Sequence, residues 1–142
     1  MSHTIEQFGE YITKTWHDEE SYFMVKLTDS SRQTLDVYYD VVNNLYKSWD
    51  NTIPLYFIQD ITDDKISLTP YFRSQIDNLN KQVEKYNINF YLAVVTQNNF
   101  TGQIMRMFGR LFANKQDGLN LAFFTDLQKA HDWIVEQKAK HN

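Results

Sequence analysis

The stretch INFYLAVVT, residues 88–96, decides the fold of this chain. It is apolar at nearly every position, which is typical of a strand that helices cover in a parallel sheet. Two similar stretches lie on either side of it, IPLYFIQDI at residues 53–61 and LNLAFFT at residues 119–125. A turn and a helical pattern follow each stretch, and parallel strands need such crossovers. The sequence therefore predicts an α/β domain with a mainly parallel sheet.

Two helices are predicted before the central stretch. Ser30 and Gln33 have the spacing of a capping box, and the helix that they start is expected to run to Trp49. Thr69 and Pro70 match the N-cap and first position of the next helix. Its apolar residues recur at spacings of three and four and form a single buried stripe: Phe72, Ile76, Leu79, Val83 and Tyr86.

The remaining elements complete one domain. Residues 11–16 and 22–27 alternate as two strands of a hairpin. Another helix is predicted over residues 100–113, and Thr125 with Gln128 resembles the capping box of a C-terminal helix. The expected fold is thus a mixed, mainly parallel sheet of four or five strands with an N-terminal hairpin and four helices.

Composition limits the classes of function. The chain has 142 residues, no cysteine and a formal charge of -4, so we expect no disulfide, thiolate chemistry or nucleic-acid partner. Its N-terminal segment lacks an apolar core, and its apolar runs are only strand-length. We therefore expect a cytoplasmic protein with at most peripheral contact with a membrane.

No complete catalytic motif is present. The glycines form neither a dinucleotide-binding nor a phosphate-binding loop, and no nucleophile elbow occurs. The histidines lack metal-ligand spacing and are expected at the surface: His3, His17, His131 and His141. We accordingly expect no enzyme activity, no cofactor and no bound metal.

Two segments of the C-terminal third, YLAVVTQNNFTGQIMRMFGRLFANK and LAFFTDLQKAHDWI, resemble the STAS family. This is the family of bacterial anti-sigma-factor antagonists, and the likeness is to its uncharacterised STAS-like branch. The matching residues are Val94, Val95, Arg106, Phe123, Phe124, Ala130, Trp133 and Ile134. The order of predicted elements also agrees with that family over nearly the whole chain. The resemblance implies a STAS-like fold and a regulatory module without catalysis.

The same resemblance implies a phosphorylation switch at the start of the helix that follows the third predicted strand, residues 53–61. Ser67 and Thr69 lie near the matching position, although the turn is longer than in the family and lacks its glycine. A phosphate there would be favoured by the helix N-terminus and repelled by the neighbouring aspartates. The other interpretation is that Thr69 is a structural N-cap.

The carboxyl ends of the parallel strands mark the expected binding edge, because ligands of open α/β sheets bind there. The polar residues at this edge are Asp60, Thr62, Gln97, Asn98, Asn99, Thr125 and Asp126. The nearby carboxylates of Asp60, Asp63 and Asp64 suggest a divalent cation site, but they lack EF-hand spacing. Turn-forming carboxylates in a polar loop are the favoured interpretation.

Two predicted helices carry more apolar surface than a core stripe requires. The helix over residues 100–113 has Met105 and Phe112 at one margin, and the first helix has Tyr39 and Tyr46 at one margin. These margins predict a protein interface, a lipid-like ligand pocket or membrane contact, or simply deeper burial. The opposite side of the helix over residues 100–113 carries two basic residues, Arg106 and Arg110, which suggest a small anion or acidic-partner site or a solvated face.

The leading functional hypothesis is a STAS-like regulatory or binding module. It would act through its strand-end loops and the helix over residues 100–113. The alternative is a small protein that binds a lipid or another apolar ligand, because the STAS-like branch is similar in outline to the Sec14-type lipid-binding fold. The expected partners are a protein or a small apolar ligand; a retained small ligand would support the second hypothesis, and a specific protein partner or a homodimer without ligand would support the first.

Overall fold

The structure, a computed structural model, describes residues 3–17, 21–100, 102 and 119–140. Six strands form a single mixed sheet in these ranges, and their order across the sheet is their order along the chain. The strands are β1 His3–Phe8, β2 Ile12–His17, β3 Tyr22–Leu27, β4 Leu55–Ile61, β5 Phe90–Thr96 and β6 Leu119–Phe124. The helices are α1 Arg32–Ser48, α2 Pro70–Lys85 and α3 Leu127–Ala139, and a short 3-10 turn covers Asn98–Phe100.

The sheet combines an antiparallel half with a parallel half. Strands β1, β2 and β3 form an antiparallel meander, and β3 to β6 pair in parallel. This confirms the α/β class and the predicted hairpin of β2 and β3. The expected count of four or five strands is wrong, because the described part of the chain has six. The third of the four predicted helices, over residues 100–113, lies outside the described residues except at its first positions.

Strand β1 is the additional strand, and its composition explains why its sequence did not indicate it. Its residues HTIEQF pair in continuous register with β2, from His3 opposite His17 to Phe8 opposite Ile12. An edge strand forms through backbone hydrogen bonds and needs little buried side chain. The turn to β2 begins at Gly9, whose φ of +69° is in the left-handed region that favours glycine.

Helices α1 and α2 cover one face of the sheet and enclose the larger core. The alternation of β4 and β5 places Phe57 and Phe90 on this face, where their rings meet edge to face at 5.9 Å between centroids. Leu35, Val42 and Leu45 of α1 and the α2 stripe pack against them. The stripe is buried as predicted except for Tyr86, which is half-buried.

Helix α3 packs on the opposite face, against β4, β5 and β6. Ala130 and Ile134 are fully buried there, next to Ile58 and Ala93. Helix α3 also reaches the antiparallel half of the sheet, where His131 is hydrogen-bonded to Tyr22 of β3 and its ring meets that of His17 on β2.

The helix caps are shifted by one residue from two of the predicted capping boxes. Ser31, not Ser30, is the N-cap of α1 and accepts a hydrogen bond from the Thr34 N–H. Asp126, not Thr125, caps α3 and accepts from the backbone N–H groups of Gln128 and Lys129. A carboxylate or hydroxyl one position later reaches the same unpaired N–H groups, so spacing alone does not distinguish the residues.

Candidate functional site

The predicted binding edge brings three of its polar residues together. Asp60, at the end of β4, accepts hydrogen bonds from the Thr62 N–H at 3.0 Å and the Thr62 hydroxyl at 2.7 Å. Gln97 follows β5, and its side-chain amide donates to the Thr62 carbonyl at 2.9 Å. Parallel register explains the proximity, because Ile61 and Thr96 are paired neighbours.

These hydrogen bonds hold the strand ends to one another. Asp60 is only 4% exposed and faces the α3 side of the sheet, so its carboxylate stabilises the turn. Asp63 accepts from the Lys65 N–H at 2.9 Å, which is also a turn contact. Both carboxylates therefore form turns, as the favoured interpretation predicted. Asn98 and Asn99 lie exposed in the 3-10 turn at the same edge.

The two predicted phosphorylation residues occupy different environments. The Thr69 hydroxyl accepts from the Phe72 N–H at 3.1 Å, so Thr69 is the N-cap of α2, as predicted. The Ser67 side chain is exposed, and its backbone N–H donates to the Ser30 hydroxyl at 2.8 Å. Of the two hydroxyls, that of Ser67 is the one a kinase could reach without first breaking a helix cap.

The predicted contacts of the helix over residues 100–113 are not part of the described chain. They are Met105, Arg106, Arg110 and Phe112. Their proposed roles as contact residues remain predictions from the sequence.

A groove appears where the sequence did not predict one, between α1 and the β1–β2 hairpin. Its larger part has a volume of about 430 Å³, and a second part of about 260 Å³ adjoins it. Phe8 and Val37 line both parts, so the two parts lie next to each other. We call this groove the hairpin groove. It is lined by Glu6, Phe8, Gly9, Glu10, Tyr11, Ile12, Lys14, Gln33, Thr34, Val37, Asp40, Val41, Asn44, Leu45 and Ser48.

The hairpin groove has an apolar wall and an acidic rim. Val37 is 44% exposed and Tyr11 is 40% exposed, and both line it. Three carboxylates border it against one ammonium group, that of Lys14. Lys14 Nζ lies 3.7 Å from Glu6 Oε1 and 5.0 Å from the centre of the Phe23 ring, so its charge is already engaged.

The exposed apolar margin of α1 is on the other side from the one predicted. Tyr46 is buried in the larger core, where its ring meets Phe90, and Tyr39 is half-buried against the same core. Val37 is the apolar residue of α1 that remains exposed, because it faces the hairpin groove and not the larger core. The signal for the groove was therefore present in the wide apolar arc, but its direction depended on the unpredicted strand β1.

A polar contact lies inside the larger core. The Tyr38 hydroxyl of α1 donates to Gln59 Oε1 on β4, and the Gln59 amide donates to the Val25 carbonyl of β3 at 3.1 Å. Burial raises the pKa of Tyr38 far above its usual value, so the phenol stays protonated. A cavity of about 20 Å³ adjoins both side chains and Asn80, which is room for one water molecule.

Two histidines expected at the surface belong instead to an aromatic cluster on the α3 face. The Tyr22 hydroxyl and His131 Nδ1 are hydrogen-bonded at 2.5 Å. The His17 ring stacks on Tyr22, with 4.7 Å between centroids, and meets the His131 ring edge-on. Both histidines are half-buried, so the surface prediction is wrong for them. Within the described ranges, no three His, Asp or Glu side chains converge as a metal site.

No protein-family model matches the chain, and no curated protein or solved structure matches it either. None of the helices in the described ranges is both long enough and apolar enough to pass through a bilayer.

Proposed function

We propose that this chain is a non-enzymatic binding module that holds a segment of a partner protein in the hairpin groove. The observation that carries the proposal is the groove itself, with exposed Val37 and Tyr11 beside Phe8 in a depression of about 430 Å³ and 260 Å³. Exposed apolar surface collected in one concave site is typical of interaction sites.

The rim of the groove determines the chemistry of the partner. Glu6, Glu10 and Asp40 are exposed along it, and Lys14 is engaged by Glu6 and Phe23. A segment with apolar side chains for the wall and at least one Lys or Arg for the rim complements this surface. The formal charge of -4 for the whole chain favours the approach of the same kind of partner.

The STAS-like resemblance supports a regulatory role for this binding. Ser67 is the better candidate for a phosphorylated residue, since its side chain is exposed. The Ser67 N–H contact with Ser30 links its loop to the residue before the N-cap of α1, which forms one wall of the groove. A phosphate at Ser67 would thus add negative charge near the N-terminus of α1.

The alternative of a small apolar ligand receives support from the groove volume, which is within the usual range for ligand pockets. The acidic rim opposes it, because a buried hydrocarbon gains nothing from carboxylates. The closed cavity beside Tyr38 is far too small for a lipid chain. A protein segment fits the combination of apolar wall and charged rim better.

Site-specific photocrosslinking in cells tests the proposal. A photoreactive phenylalanine analogue replaces Val37, and the matched control replaces Val135, which is 48% exposed on α3. We expect one protein adduct at Val37, through a peptide that contains Lys or Arg, and no such adduct at Val135. A synthetic copy of that peptide should bind the purified chain, and Asp40→Lys should weaken its binding at least tenfold.

Two results would contradict the proposal. Equal adducts at Val37 and Val135 would show nonspecific contact. Native mass spectrometry of the purified chain that found a retained small molecule, displaced by bulky substitutions at Val37, would establish the ligand carrier instead.

A further inference from the structure

The free edge of β1 carries an inference beyond the groove. In the described part of the chain β1 pairs on one side only, with β2. Its six residues contain no proline and no Lys or Arg, and their register with β2 has no bulge. Proline, basic side chains and bulges are among the features by which edge strands usually prevent pairing with another chain, and β1 has none of them. Ile5, in the middle of the strand, is 66% exposed.

We propose that β1 pairs with β1 of a second copy of this chain, and that the pairing completes the binding site. The pairing rests on the free edge of β1 alone, whereas the completion of the binding site rests on the proposed function. A twofold axis perpendicular to the sheet would join the two edges in antiparallel order, as an isologous contact requires. The product is one continuous sheet across both copies.

The register of this contact follows from charge and symmetry. Residues directly opposite each other share a face of the sheet, so the axis must pass through a residue position. An axis at Ile5 places Ile5 against its own copy and Glu6 against Thr4. An axis at Glu6 would oppose two carboxylates, which is unfavourable. An axis at Thr4 or Gln7 would pair only three of the six strand residues, against five for an axis at Ile5. The apolar, exposed Ile5 is therefore the residue at the axis.

The pairing changes the shape of the binding site. A perpendicular twofold axis keeps both α1 helices on the same side, so the two hairpin grooves adjoin. Strands β2, β1 and their two copies form a floor of four antiparallel strands, with one α1 at each side. Four strands at the usual spacing span roughly 14 Å between the outer pair. That width accommodates a helix about 10 Å across or an extended segment.

Disulfide trapping tests the contact directly, because the chain has no cysteine and any introduced thiol is alone. Opposed residues of antiparallel strands have Cα atoms about 4.5–5.5 Å apart, within disulfide reach. We expect Ile5→Cys to form a covalent dimer under mild oxidation at least tenfold faster than Thr4→Cys or Val135→Cys. Faster trapping by Glu6→Cys than by Ile5→Cys would overturn the register.

Sedimentation of the unmodified chain over a concentration series tests the assembly. We expect a monomer–dimer equilibrium that Ile5→Lys weakens at least tenfold, since two ammonium groups would meet at the axis. Val135→Lys should leave it unchanged, and circular dichroism should show both variants folded. A chain that stays monomeric at every concentration would overturn the pairing.

The two proposals fail in different ways. If the dimer forms while Val37 gives no specific adduct, the pairing stands and the proposed function is wrong. If Val37 gives the adduct equally in the native chain and in Ile5→Lys, the function stands and the second copy does not complete the site.

Discussion

The buried contact between Tyr38 and Gln59 offers a quantitative test of the core. Tyr38→Phe removes only a hydroxyl. Gln59→Leu replaces the amide side chain by an apolar side chain of similar size. In the native chain the hydroxyl donates to Gln59 Oε1, and the Gln59 amide donates to the Val25 carbonyl. The three residues belong to α1, β4 and β3, so the contact joins one helix to two strands.

The expected cost of each substitution differs. Tyr38→Phe leaves the Gln59 carbonyl oxygen without its donor, which costs about 1–3 kcal/mol in a buried site. The adjoining cavity of about 20 Å³ gives a water molecule room to replace the donor, so we expect about 1 kcal/mol. Gln59→Leu deprives both the Tyr38 hydroxyl and the Val25 carbonyl of a partner. We expect about 2–4 kcal/mol for it.

The double variant separates this contact from general effects of packing. Because Phe and Leu leave no unpaired group between them, the double variant should lose about 1–2 kcal/mol less than the sum of the single losses. Urea unfolding followed by circular dichroism gives the free energies of unfolding. In a chain of 142 residues, 1 kcal/mol corresponds to about 3 °C in Tm. Additive losses, within about 0.5 kcal/mol, would refute a direct contact between the two side chains.

Other substitutions test the caps and the second layer. Neighbouring hydroxyls hold the pKa of Asp29 below its ordinary value of 3.8, so its stabilising effect is complete above about pH 4 and disappears as the pH falls through the lowered pKa. Asp29→Asn should therefore lose about 0.5–1 kcal/mol at pH 6 and less at pH 3, and acid titration of unfolding measures the difference. Thr69→Ala should lose about 1 kcal/mol through its N-cap, while Ser67→Ala changes urea stability little; equal losses would contradict this. Ile134→Ala should lower Tm by an amount equivalent to about 2–4 kcal/mol and Val135→Ala by almost nothing, since only the first is buried; similar shifts would contradict the docking of α3.

The sequence predicted the elements whose side chains determine their structure. Nearly continuous apolar runs define strands β4, β5 and β6. Apolar residues at spacings of three and four define the stripe of α2, so the positions of all four elements followed directly. Strand β1 was missed because an edge strand depends on backbone pairing, and HTIEQF contains few apolar side chains. The contact between Gln59 and Tyr38 has no signal in the sequence, since the two residues lie 21 positions apart.

The candidate site was less predictable for a related reason. The strand-end residues Asp60, Thr62 and Gln97 could be placed together, because parallel register alone brings them to one edge. The hairpin groove required knowing how far α1 extends over the sheet, which no local pattern contains. Val37 has the same apolar character as Val41, yet Val37 is exposed beside the hairpin groove and Val41 is buried.

The sequential order of the strands has a consequence for biosynthesis. Each described strand from β2 to β6 has its predecessor along the chain as a neighbour, so these pairings do not wait for a later segment. As the polypeptide leaves the ribosome, the meander can form first, and each later strand can add to an edge that already exists. Loop closure then costs only the entropy of one crossover at a time. Helix α3 is the last described element to be made, so a nascent chain halted before it would leave Ile58 and Ala93 without the helix that covers them, which favours aggregation.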